Sequence, residues 1–270
     1  MPVGGAHGVV ATQAKRANPM KLTGNTILIT GGTSGIGRAL AEAFHDRGNR
    51  VIVTGRRQDL LDQVSAARPG LTALQVDLAD DNAMPQLAAR LRQDFPDINV
   101  LIANAGISRT EDMRADSWTA ADAEAIVQTN IVGVLRTAAA LLPLIKGKPD
   151  AAFLATSSAL AFVPRADFPT YCASKAFLHS WLQSLRHQLR PIPVEVLELS
   201  PPYVQTMLTG AHQLGDPRAM PLDDYVTEVF RLLDAGTTPR GEILLERDLP
   251  RRWAERDGSY DSLFALMNPA

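Results

Sequence analysis

Tyr171 and Lys175 stand four residues apart in the stretch YCASK. On a helix this spacing puts a phenol and an ammonium on one face. Such a pair can exchange a proton with an oxygen, because a nearby cation favours the phenolate. An ordinary packed helix face produces the same spacing, so the pair alone leaves both readings open. A second feature is TGGTSGIG, residues 30–37. Its glycines permit a tight turn with close backbone approach, and a helix opening near Ile36 would offer free N–H groups to a phosphate. Gly31, Thr33, Ser34, Gly35, Ile36 and Gly37 are the candidates for that contact. The spacing is neither G-x-G-x-x-G nor a P-loop, so a plain loop is the alternative.

The elements that must position these groups follow from hydrophobic patterning. TILIT (26–30), RVIVT (50–54), LTALQV (71–76), NVLIAN (99–104), AAFLAT (151–156), VEVLEL (194–199) and EILLE (242–246) read as strands buried on both faces. Amphipathic stretches near 36–47, 57–67, 80–94, 120–145, 170–189 and 221–235 read as the helices between them. Strand–helix alternation predicts an α/β fold, a Rossmann-type doubly wound parallel sheet of about seven strands with helices on both faces. After the first strand of such a sheet, the glycine turn favours phosphate binding over a plain loop. The second strand ends in Gly55, Arg56 and Arg57. A carboxylate there would repel a 2′-phosphate, whereas a guanidinium pairs with it, so NADP(H) is preferred over NAD(H). Two solvated arginines at a helix start are the alternative.

Bulk properties exclude other classes. The chain has 270 residues, 46% of them apolar, and 27 basic against 29 acidic residues, with no block of like charge. Nucleic acid and anionic membrane surfaces are therefore unexpected partners. No apolar run of the roughly 18 residues needed to span a bilayer stands out. The single cysteine, Cys172, has no companion for a disulfide or a zinc site, and no metal site is expected. These features lead us to expect a soluble cytoplasmic protein. Residues 1–19 read as a disordered tail, and residues 20–270 as one domain.

Taken together, the motifs resemble the short-chain dehydrogenase/reductase family, compact single-domain type. The resemblance rests on TGGTSGIG, VDLAD (76–80), NAG (104–106), QTNIVG (128–133) and ATSSALAFVPRADFPTYCASK (155–175). DINVLIANAGISRTEDM, SPPYVQT and SYDSLFALMNP further resemble the DltE-like oxidoreductase branch. The resemblance implies a catalytic set of Ser158, Tyr171 and Lys175, with Asn130 as fourth member. It further implies cofactor contacts at Asp77, Leu78, Asn104, Ala105, Gly106, Pro201, Val204 and Thr206, besides the glycine turn, Arg56, Arg57, Tyr171 and Lys175. In those roles Tyr171 acts as general acid and base, and Lys175 lowers the phenol pKa and holds the nicotinamide ribose. Ser158 hydrogen-bonds the substrate oxygen, and Asn130 bonds a water that links Lys175 to solvent. Relatives assemble through the helices near 120–145 and 170–189, so a homodimer or homotetramer is expected.

Ser157 competes with Ser158, but Ser158 lies at the family's separation of 13 residues before Tyr171. The chain departs from the family pattern at Ala103, where an asparagine is common, and at Pro202, where glycine is usual; Pro202 lacks a backbone N–H. Residues 203–220 read as a mobile substrate lid. Phe162, Pro164, Phe168, Tyr203, Met207 and Leu208 are candidates for an apolar substrate pocket, and Arg109 or Arg165 for contact with an acidic group. The activity implied is hydride transfer between nicotinamide and a small carbonyl or secondary alcohol. A non-catalytic dinucleotide-binding redox sensor on the same fold is the alternative.

Overall fold

The computed structural model describes residues 20–236 and 238–269. The tail expected at residues 1–19 lies outside them. Seven strands form one sheet, β1(Thr26–Thr30), β2(Arg50–Gly55), β3(Thr72–Gln75), β4(Val100–Ala103), β5(Ala151–Thr156), β6(Val194–Ser200) and β7(Glu242–Leu244). Their order is β3-β2-β1-β4-β5-β6-β7. Every pairing is parallel. Apolar residues at consecutive positions serve both faces. Ile27, Ile29, Val51 and Val53 pack into one core layer, while the intervening Leu28 and Ile52 pack into the other. The first layer is covered by α1(Gly35–Asp46), α2(Gln58–Ala67) and α7(Leu222–Asp234). The second is covered by α3(Ala83–Asp94), α5(Gly133–Ile145) and α6(Pro169–Gln188).

Chain order reverses between β1 and β4, and the strand ends there diverge into a crevice. Two helical expectations change. The stretch read as one helix from 120 to 145 is α4(Ala121–Val127), a π-helical turn at Gln128–Val132, and α5. Within it the Gly133 N–H bonds to the Gln128 carbonyl, one residue further back than in an α-helix. Contrary to the sequence expectation, the combined stretch is long and apolar enough to cross a membrane by length and composition. Its face at Val134, Ala138, Leu141 and Ile145 is instead buried in the second core layer. Near the C-terminus, α8(Leu249–Arg252) and α9(Tyr260–Met267) form where no helix was expected. They are short, and neither buries a residue, so periodicity leaves no mark on them.

Candidate active site

The crevice at the β1/β4 reversal is a cleft of about 470 Å³. One wall is the glycine turn. Gly31 and Gly35 hold φ of +67° and +53°, a region that favours glycine. A Cβ at Gly37 would lie 2.3 Å from both the Asn104 amide nitrogen and the Gly31 carbonyl oxygen, so this close approach needs a bare backbone. Helix α1 starts at Gly35 behind Ser34, and no side chain caps its first turn. Its opening N–H groups are thus left to a ligand. All of Gly31, Thr33, Ser34, Gly35, Ile36 and Gly37 line the cleft, as do Arg56, Arg57, Asp77 and Leu78. Both arginines are exposed, and neither pairs with a carboxylate among the described residues. A bare turn, an uncapped helix start and two unpaired cations fit the phosphates of a dinucleotide. Asp77 is exposed and uses its carboxylate to accept the Ala79 N–H at 3.0 Å.

Asn104, Ala105 and Gly106 continue the lining where β4 ends. The Asn104 amide donates to the Thr30 and Gly31 carbonyls at 3.3 Å and accepts the Thr156 hydroxyl at 3.2 Å, tying three strand ends together. Replacement of the usual neighbouring asparagine by Ala103 leaves this clasp intact. Pro201, Pro202, Val204 and Thr206 line the far end with Met207 and Leu208.

Tyr171, Lys175 and Ser158 meet on the opposite wall. In α6 the buried stripe runs through Tyr171, Lys175, Leu178 and Leu182, so the phenol and ammonium extend a core-packing face into the cleft. Tyr171 is 7% exposed and Lys175 4%. The lysine Nζ lies 5.5 Å from the tyrosine ring centroid and donates to the Thr156 carbonyl at 2.8 Å. Burial lowers the Lys175 ammonium to about 8. Burial also raises the Tyr171 phenol to about 12, against the opposing effect of the Ser158 hydroxyl. The phenol therefore stands above its ordinary value rather than below it, because desolvation outweighs the Ser158 hydrogen bond.

The two serines that follow β5 both line the cleft but take different partners. The Ser158 hydroxyl oxygen accepts the Leu160 N–H at 3.2 Å at the start of a short 3₁₀ turn. The Ser157 hydroxyl donates to Glu198, a fully buried carboxylate that His179 Nδ1 also reaches at 2.8 Å. Sequence reasoning missed this cluster, whose members lie far apart in the chain. Donor atoms of His179, Glu198 and Glu242 come within 4.8 Å of one another. Glu198 is nevertheless engaged by Ser157 and His179, and Glu242 by Arg252 at 2.8 and 2.9 Å.

Asn130 does not line the cleft. It is fully buried in the π turn, where its amide donates to the Ile107 carbonyl and the Ser174 hydroxyl and accepts the Ile107 N–H. Its side-chain amide is thus engaged by Ile107 and Ser174. The expected apolar pocket also shrinks, since only Met207 and Leu208 of its six candidates line the cleft. Phe162 packs edge-on against His179, Phe168 lies beneath Arg165, and the Tyr203 hydroxyl donates to Asp216. The Pro164 carbonyl accepts the Asn268 amide. Arg109 lines the cleft, whereas Arg165 is paired with Asp167. Residues 203–220 are joined at their ends by a bridge between Val204 and Met220.

A family model described as short chain dehydrogenase matches residues 25–215. The protein DltE of Bacillus subtilis (strain 168), described as an uncharacterized oxidoreductase, is 36% identical over 252 residues, which is 92% of this chain and 98% of that one. A short chain dehydrogenase from Burkholderia cenocepacia J2315, crystallised in complex with NADP, superposes with a TM-score of 0.77 at 25% identity over 92% of this chain and 99% of that one. A short chain dehydrogenase/reductase from Burkholderia phymatum, in complex with NAD, gives 0.74 at 21% identity over 92% and 97%, a likeness of fold.

Proposed function

The chain belongs to the short-chain dehydrogenase family of NAD(P)H-dependent oxidoreductases, and on that premise we propose that it transfers hydride between NADP(H) and a small ketone or secondary alcohol. One observation carries the reading. Tyr171, Lys175 and Ser158 share one wall of the cleft that the glycine turn closes on the other side. Kinship with the DltE-like branch is part of the proposal, supported by 36% identity to DltE.

When bound, the dinucleotide supplies or accepts the hydride. The chain's residues do the rest. The backbone from Gly31 to Gly37 receives the pyrophosphate, and Arg56 and Arg57 take the 2′-phosphate. Asp77 and Leu78 flank the adenine, Asn104 to Gly106 line the middle of the dinucleotide, and Pro201, Val204 and Thr206 hold its nicotinamide end. Tyr171, kept protonated by burial, delivers its proton to the substrate oxygen in reduction and takes it back in oxidation. The Leu160 N–H occupies an acceptor site on the Ser158 oxygen, and the hydroxyl hydrogen, which faces the Tyr171 phenol, donates to the developing alkoxide. Lys175 spends one N–H on Thr156 and keeps two, which hold the ribose hydroxyls and stabilise the phenolate. Asn130 locks Ile107 against Ser174 and so supports Tyr171 from behind. Residues 203–220 act as the lid over the substrate. The test is NADPH oxidation screened over ketones, aldehydes and diketones with wild type and Tyr171→Phe. Equal turnover by the two would refute the mechanism.

A further inference from the structure

We propose that Glu111 is a positioning residue for Tyr171, acting as a cap on α6 supplied from the loop after β4. The proposal rests on the acid–base role given to Tyr171 above. Helix α6 begins with Pro169, and its N-cap residue, Phe168, has no side chain able to satisfy the first turn. Glu111 fills that need from 59 residues away. Its carboxylate accepts the Thr170 N–H at 3.0 Å and the Thr170 hydroxyl at 2.9 Å. Its own N–H donates to the Asp167 carbonyl at 3.1 Å. The side chain is buried and sits where the helix start favours negative charge.

This clasp has a companion. Four residues before Glu111, Ile107 is gripped by Asn130, whose amide also donates to Ser174, and the Ser174 hydroxyl donates to the Tyr171 carbonyl. The segment 107–111 is thus fastened to α6 at Thr170 and, through Asn130, at Ser174, on either side of Tyr171. Two fastenings set both the advance and the rotation of the helix start, and with them the direction of the phenol. Glu111 does not line the cleft, so it acts only through this placement. A cap needed for stability alone would be met by serine or aspartate at position 168. Here it comes from the loop that follows Gly106 and so couples the helix to that wall.

The test is steady-state kinetics on the full chain, using NADPH and the carbonyl compound that wild type reduces fastest in the screen. Glu111→Ala is expected to lower kcat by about tenfold or more with the KM for NADPH unchanged. Glu111→Gln, which keeps an acceptor for Thr170, is expected to return kcat to within about threefold of wild type. Val229→Ala, in the opposite core layer, is the control for lost stability alone. If Glu111→Ala loses no more kcat than Val229→Ala at a matched fall in Tm, the proposal is overturned. Should Glu111→Ala not fold, Thr170→Val removes the hydroxyl half of the clasp, and an unchanged kcat there overturns the proposal. Full activity of Tyr171→Phe would instead refute the parent mechanism, whatever Glu111 does.

Discussion

Ser157 hands its hydroxyl hydrogen to Glu198 at 2.5 Å, whereas the hydroxyl of Ser158, beside it on the cleft lining, accepts the Leu160 N–H. The two serines should therefore fail differently. Ser157→Ala leaves a buried carboxylate short of a donor and is expected to cost about 1–3 kcal/mol of stability, with kcat largely retained. Ser158→Ala is expected to lower kcat by roughly 10²–10³-fold with little change in Tm. Thermal denaturation beside steady-state kinetics separates them, and the reverse pattern would exchange their roles.

Lys175 makes stability depend on pH in a defined window. Its ammonium titrates at about 8 in the folded chain, against 10.5 for an ordinary lysine. Between those values the unfolded chain holds the extra proton, so stability rises with pH. Across the window, wild type should gain on Lys175→Met by about 3 kcal/mol, measured by denaturant unfolding at pH 7 and pH 11. Tyr171 works in the opposite sense. Its phenol titrates at about 12 rather than 10, so its contribution falls as pH climbs from 10 to 12. A Lys175→Met difference that stays flat with pH would show that the ammonium is not desolvated.

Cofactor choice is expected to follow Arg56 and Arg57. Arg56→Asp should weaken NADPH by about 1.5–3 kcal/mol, the value of a hydrogen bond to a charged group, and leave NADH nearly unaffected. Fluorescence titration with both nucleotides checks this. Tighter NADH binding by wild type, or indifference to the substitution, would reverse the assignment.

Gly37→Ala tests the cradle. Its Cβ would meet the Asn104 amide and the Gly31 carbonyl at 2.3 Å. We expect about 1–3 kcal/mol of lost stability, as for other overpacked sites, and loss of dinucleotide binding because Asn104 and the turn must part. Dinucleotide affinity equal to wild type would show that the turn has slack.

Much of the sheet was legible because strands buried on both faces are apolar at consecutive positions, as Ile27 to Ile29 and Ala151 to Ala155 are. The glycine turn was legible because only glycine tolerates its backbone. Contacts between distant residues were not. Nothing around Glu111 announces that it caps Thr170, and nothing around Glu198 announces Ser157. Motif resemblance brought Asn130 to notice, but its place in a π turn depends on one extra residue that helical periodicity does not register. The apolar residues at 162–168 were credited to a substrate pocket because bulk and nearness in sequence to Tyr171 do not reveal orientation. Phe162 in fact packs on His179.

The reversal of strand order that opens the cleft also sets a folding problem. The two strands at its base, β1 and β4, pair Ile27 with Val100, and Asn99 reaches back 73 residues to the Thr26 N–H. Closing a loop of that length carries an entropic cost that local contacts do not repay, and parallel pairing of this kind is slow. A nascent chain that ends before residue 100 holds β1, β2, β3 and the glycine turn, but only half the crevice. Until β4 docks, β1, an interior strand of the finished sheet, is an exposed edge.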